Sequence, residues 1–277
     1  MKMNRIVFEN IKDCNLEHIF ECGQCFRWNR EGERYMGVVG DYVAAATYIS
    51  YMDCENNGTL ALEVSGGDRE FWMHYFDLDT DYSQIKGDII KCEPLIQSAC
   101  EYGYGIRILN QNLFETLISF VVSQNNNIPR IKKCIESICR KYGKPLGVIE
   151  GEERYGFPTV ETLADAKVDD LAELKLGYRS EYIVSCAQSF MKGAPEKYED
   201  VVAFHGIGPK VANCIRLFGL HCVDAFPIDT WVKHIMNDMY GFEENDVRGM
   251  AAFAEEKFGR YAGYAQQYLF YYYRDRK

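Results

Sequence analysis

The sequence predicts an α+β protein in which a small antiparallel β-sheet domain precedes a mainly helical body. Three observations predict it. Between residues 25 and 65, β-branched and aromatic residues come in short runs separated by turn residues. Past Gly66-Gly67 the apolar spacing changes to helical intervals, and residues 198–219 read as two helices joined by a glycine hairpin.

The strand-like runs are Phe26-Arg27-Trp28, Tyr35 to Val39, Tyr42 to Ile49 and Leu60 to Val64, with Asn29 to Glu33 as a polar tip. We assign residues 1–105 to the sheet domain and 106–277 to the body, with helices to the end and the last helix packing back towards the sheet. In the body, Asn112 and Glu115 form a capping-box-like start to a helix whose apolar residues Leu113, Leu117 and Phe120 recur as far as Ser123. That helix stops at the polar knot Gln124-Asn125-Asn126-Asn127, which on its own reads as a surface loop.

A chain of 277 residues with 47% hydrophobic content can bury one large core or two smaller ones. No apolar run reaches the ~18 residues of a membrane span. The first twenty positions are interrupted by Lys2, Arg5, Glu9, Lys12, Asp13 and Glu17, so the reading is of a soluble cytoplasmic protein, monomeric, and nucleoid-associated if the source is bacterial. The 11 cysteines are scattered, which fits reduced thiols better than a disulfide framework. Cys22 and Cys25 have the spacing of redox and zinc motifs, but no second pair or nearby histidine completes a ligand set. No cysteine follows Cys222, which excludes a C-terminal four-cysteine iron-sulfur cluster. The net charge of -10, from 41 acidic and 31 basic residues, argues against nucleic-acid binding by bulk electrostatics. Phosphates can still be held by backbone N–H groups and helix N-termini on an acidic protein.

The most informative stretch is 198–236. A short helix bearing Val201, Val202 and Phe204 runs into His205-Gly206-Ile207-Gly208, and Pro209 opens a second helix whose apolar stripe is Val211, Ile215 and Phe218. Glycines at both ends of the hairpin allow close backbone approach, and the first-turn N–H groups of the second helix, as far as Val211, have no partner within it. His205, Gly206, Gly208 and Val211 thus outline a phosphate grip. Lys210 lies in the first turn, where the positive end of the helix dipole disfavours a cation and so favours the neutral amine that a nucleophile requires. Cys214 is one turn on, on the same face. Downstream, Asp229 in Phe226-Pro227-Ile228-Asp229-Thr230 is placed to cap the helical run from Trp231 to Met236. A capped carboxylate is rigid and can still face a developing positive charge.

The Gly-Ile-Gly hairpin, Lys210 and the downstream Pro227-x-Asp229 resemble the signature of helix-hairpin-helix glycosylases. Within that superfamily the chain most resembles the 8-oxoguanine DNA glycosylase family over nearly its whole length. The matching motifs are Gly23-Gln24-Cys25-Phe26-Arg27-Trp28, Asn125-Asn126-Asn127, Leu176-Gly177-Tyr178-Arg179 and Ala262-Gly263-Tyr264-Ala265-Gln266. The resemblance implies a bifunctional enzyme of base-excision repair that takes duplex DNA containing oxidised guanine. Lys210 would form an imine with the sugar, Asp229 would assist, and β-elimination would follow.

It further implies a base pocket of Gly23, Cys214, Gln266 and Phe270, with the Gly23 carbonyl accepting from the N7–H that oxidation at C8 creates. Asn125, Asn126, Arg130, Tyr178 and Arg179 would fill the gap left by the extruded base and meet its unpaired partner. No organic cofactor is implied; a monovalent cation at the hairpin carbonyls near Gly206 and Gly208 is the one ion the family allows. Many members carry a histidine two positions after the aspartate, where this chain has Trp231. Two rival readings are an alkylated-base glycosylase with a water nucleophile and a non-enzymatic DNA-binding module. Neither has a use for Lys210 beside Asp229.

Overall fold

The computed structural model describes residues 2–51 and 57–274. Five antiparallel strands form the N-terminal sheet: β1 (Asn4–Ile11), β2 (Trp28–Glu31), β3 (Arg34–Val39), β4 (Tyr42–Ser50) and β5 (Gly58–Val64). Their order is β1-β5-β4-β3-β2. Two-residue turns at Gly32-Glu33 and Gly40-Asp41, each led by a glycine of positive φ, set the β2–β3 and β3–β4 hairpins. Register is fixed by packing as well: Gly37 lies opposite Trp28, and a Cβ there would stand 2.3 Å from the indole.

Three expectations need correction. Phe26 and Arg27 precede β2, whereas Asn29 to Glu31, read as a tip, are paired strand residues on an exposed edge where polar side chains meet water. Strand β1 was not foreseen, because only Phe8 in it is buried and Asn10, at φ 57°, interrupts its pairing. Nor is the chain helical to its end after Gly67. Strands β6 (Pro145–Ile149) and β7 (Glu152–Tyr155) form a hairpin around Glu150-Gly151, both of positive φ. Its Leu146 and Ile149 cover Met36, Val38, Val43 and Ala45 on one face of the sheet. Helices α1 (Leu16–Phe20) and α2 (Arg69–Tyr75) supply Leu16, Ile19, Phe20, Trp72 and Tyr75 to a second apolar cluster that includes Phe8, Trp28, Leu60 and Leu62.

The body comprises α3 (Tyr82–Cys92), α4 (Gln97–Tyr102), α5 (Leu113–Ser123), α6 (Ile128–Tyr142), α7 (Val160–Ala164), α8 (Val168–Ala172), α9 (Arg179–Phe190), α10 (Tyr198–Val202), α11 (Pro209–Gly219), α12 (Thr230–Tyr240), α13 (Val247–Phe258) and α14 (Ala262–Arg274). Asn112 caps α5 as its sequence predicts, accepting from Glu115 N at 3.0 Å. Helix α5 is buried from Thr116 to Val122 and packs against α6, α9 and α11, so it forms the axis of the body. Residues of α3 and α4 join this core although they precede residue 105. Helix α14 lies against α4 and α12, and its Tyr271 meets His18 and Tyr102.

Two buried polar side chains knit the layers together. Gln24, 1% exposed, donates to Ile19 O (2.9 Å) and Arg107 O (2.7 Å) and accepts from Leu109 N (2.9 Å). Arg107 donates to the carbonyls of Lys12, Asp13 and Asp77 and lies 4.5 Å over the Tyr82 ring. Replacing Gln24 by leucine strips bonds from two carbonyls and an N–H inside the protein, each worth about 1–3 kcal/mol when left unpaired. Urea unfolding of Gln24→Leu should show a loss of roughly 3 kcal/mol; a midpoint matching the wild type would refute this account of the junction.

Candidate active site

Helix α10 leads through His205-Gly206-Ile207-Gly208 into α11, as the sequence predicts. Gly206 has φ +82°, and a Cβ on it would meet the Tyr182 ring at 2.5 Å. Its carbonyl accepts from Gln124 Nε2 at 3.1 Å, tying the hairpin to the end of α5. Gly208 is the N-cap of α11 and supplies no side-chain acceptor. The first-turn N–H groups, including those of Lys210 and Val211, are therefore available to an anion. His205 and Gly208 are exposed, while the Val211 side chain is buried, so any contact Val211 makes with DNA is through its backbone.

Asp229 caps α12, its Oδ1 accepting from Val232 N at 2.9 Å. The approach segment Ala225 to Ile228 is buried, which holds the carboxylate still. Burial raises the Asp229 pKa above the ordinary carboxylate value, opposed by the Val232 N–H and the Lys210 charge. The Cys214 thiol is likewise pushed up by burial, with the Lys210 charge acting in the opposite direction. Burial thus favours the neutral thiol beside the Lys210 amine. Lys210 Nζ lies 5.8 Å from the centroid of Phe120, which stacks on Phe218.

These groups face one cavity of about 450 Å³. Its walls bring together Gly23, Lys210, Cys214, Asp229, Gln266 and Phe270, all predicted from the sequence. Gly23 has φ +80°, and a Cβ there would sit 3.5 Å from the Phe270 ring, so the two form adjoining parts of one wall. Sequence reasoning missed Cys22, Phe26, Phe120, Phe218, Gln267 and Arg274, which also line it. Phe120 and Phe218 read as ordinary core from their helical spacing, and Phe26 reads as part of a strand-like run. Arg274 follows α14's periodicity from Gln266 and Phe270, a signal that could have found it. Trp231 is on the cavity wall, half-buried.

The polar knot forms one rim. Asn125 adopts φ 47°, a conformation asparagine tolerates, and donates through Nδ2 to Tyr178 Oη at 3.3 Å. Asn126 lines the cavity and donates to Val122 O, and Asn127 caps α6. Asn125, Tyr178 and Arg130 are exposed. Arg179 differs from them: it is buried, its guanidinium donating to the carbonyls of Gln124, Asn125 and Leu176. It holds the knot's backbone. Among the described residues no group of three or more His, Cys, Asp or Glu side chains is arranged to hold a metal. At the hairpin, where a cation is expected near Gly206 and Gly208, the Gly206 carbonyl accepts from the Gln124 amide and the Gly208 carbonyl from Ala212 N.

Family models match in the order of the layers. Residues 6–117 match "8-oxoguanine DNA glycosylase, N-terminal domain", and residues 118–260 match "HhH-GPD superfamily base excision DNA repair protein". The chain belongs to the HhH-GPD superfamily, in its 8-oxoguanine DNA glycosylase family. Among solved members of this family, the Clostridium acetobutylicum 8-oxoguanine glycosylase/lyase, in complex with double-stranded DNA containing cytosine opposite 8-oxoguanine, superposes with TM-score 0.89 at 36% identity. That match covers 100% of this chain and 98% of the other. A structure described as MBOgg1 with a low-affinity DNA ligand gives TM-score 0.89 at 37% identity, covering 100% and 99%. The N-glycosylase/DNA lyase of Saccharomyces cerevisiae is 27% identical over 97% of this chain and 85% of its own length.

The hairpin geometry makes a direct demand on Gly206. Gly206→Ala places a side chain at positive φ and against the Tyr182 ring, a strain on the order of 1–3 kcal/mol. The thermal midpoint should fall by several degrees in a melting scan; an unshifted midpoint would show that the hairpin relaxes freely.

Proposed function

We propose that this chain excises 8-oxoguanine from duplex DNA and then cleaves the strand at the abasic site. The observation that carries this reading is the shared cavity, in which Lys210 and Asp229 stand with Gly23, Cys214, Gln266 and Phe270 in a space large enough for one extruded base. The relatives' names and the bound DNA of the Clostridium protein support the same substrate.

In the proposed reaction the hairpin N–H groups and the first turn of α11 hold backbone phosphates. Asn125 and Tyr178 enter the space vacated by the base, with Arg130 near the unpaired partner. Phe270 stacks on the damaged purine, and the Gly23 carbonyl accepts its N7–H; an intact guanine would present a second acceptor there instead. Neutral Lys210 attacks C1′ as the glycosidic electron pair leaves with the base. Asp229, ionised, faces the positive charge that develops on the sugar and takes the amine's proton. Asp229 passes that proton to O4′ as the C1′–O4′ bond breaks, leaving a protonated imine on Lys210. Water then takes a C2′ proton, and the released electron pair forms the C2′–C3′ double bond and expels the 3′ phosphate. No cofactor enters these steps, and no helix among the described residues is long and apolar enough to cross a membrane. A water-using glycosylase would leave the amine in the cavity without work.

Borohydride trapping on duplexes carrying 8-oxoguanine opposite each of the four bases tests the mechanism. Wild type should yield a covalent adduct and Lys210→Gln none; an undiminished adduct with Lys210→Gln would sink it. Asp229→Asn should slow excision about 10²–10⁴-fold. The pH profile gives an independent check. Because burial raises the Asp229 pKa and the ionised form is the active one, excision should fall with decreasing pH through a value above the ordinary ~3.9 of aspartate. The Asp229 component of this limb should be absent in Asp229→Asn; an unchanged profile would assign the limb to another group.

A further inference from the structure

Gln266 and Gln267 are both 3% exposed, and both line the cavity. Gln267 Nε2 donates to Gln266 Oε1 at 2.7 Å, while Gln267 Oε1 is buried with no partner. Consecutive residues on a helix do not face each other, so this contact requires both side chains to bend towards the same wall. An amide that is half satisfied in an otherwise aromatic helix is a poor packing choice. Its presence is explained by what its N–H does to its neighbour.

We infer that Gln267 is a positioning residue that fixes the hydrogen-bonding sense of Gln266 and so makes the cavity select a purine with an acceptor at its 6-position. The inference rests on the base-reading role proposed above for Gln266. An isolated glutamine can turn its amide and offer either oxygen or N–H. With Gln267 bonded to the Gln266 oxygen, the end left for a ligand is the Gln266 N–H donor. Guanine presents O6, an acceptor, where adenine presents an N–H donor. The Gly23 backbone cannot make this distinction, because guanine and adenine oxidised at C8 both acquire the same N7–H.

The test compares single-turnover excision of 8-oxoguanine and of 8-oxoadenine in the same duplex by wild type, Gln267→Met and Gln267→Glu. Trapping on an abasic duplex, which offers no base to read, reports the integrity of the Lys210 centre in each preparation. Wild type should prefer 8-oxoguanine strongly, and Gln267→Met, which keeps the volume and removes the bond, should reduce that preference by about tenfold or more. Gln267→Glu can only accept when ionised; it should draw the Gln266 N–H towards itself, turn the Gln266 oxygen to the base and narrow the preference further. Abasic trapping should fall far less than 8-oxoguanine excision does. An unchanged preference in both variants, or parallel loss of excision and abasic trapping, would overturn the role of Gln267. Failure of the wild type to excise 8-oxoguanine at all would instead remove the parent reading, and this one with it.

Discussion

Gln24 uses its side-chain amide four times, on Ile19, Cys22, Arg107 and Leu109, and its own carbonyl accepts from Gln111 Nε2 at 2.8 Å. Those partners belong to the end of the sheet layer's first helix and to the extended strand of chain that enters α5. The bonds are shielded from water, so breaking them exposes groups that nothing else can satisfy. Because Gly23 immediately precedes this amide, the bonds that join the layers also place its backbone against Phe270. The base recognition proposed for Gly23 and the cohesion of the two layers thus draw on one hydrogen-bonded cluster, and Arg107 extends the cluster to the carbonyls of Asp13 and Asp77.

The same economy governs the other wall. Gln124 ends α5, bonds the Gly206 carbonyl and is itself held by Arg179, so the hairpin, the asparagine knot and the Tyr178 rim are tied together. Precision here comes from backbone carbonyls gripped by side chains rather than from charge pairing. That answers the objection raised by the net charge of -10. A site whose anion contacts are backbone N–H groups needs no positive surface around it.

The legible parts of the sequence were those where local chemistry and tertiary role coincide. Asn112 and Asp229 cap their helices and were visible as caps; Gly206 and Gly208 announced the hairpin; Gln266 and Phe270, four apart, were bound to share a face. The β6–β7 hairpin was lost because its Leu146 and Ile149 are too few to declare a period, and their cover for the sheet exists only in three dimensions. Strand β1 was hidden by its exposed edge. In the site, Phe120 and Phe218 obey the same spacing whether they fill a core or floor a cavity, and pattern cannot separate the two. Arg179 shows the opposite limit: its motif was recognised, but its burial beneath the knot could not be seen without the fold.

Burial of thiols has one more consequence. Of the described cysteines, all but Cys92 and Cys222 are buried, and burial pushes Cys14 and Cys186 to about 12 and Cys22 to about 11. Oxidants attack the thiolate, and these groups hold almost none of it near neutrality. A protein that removes oxidised bases does its work when the oxidants that made them are abundant. Its buried cysteines, which on composition alone look like a vulnerability, are shielded in this way, and the Cys214 thiol beside Lys210 is pushed up by burial in the same sense.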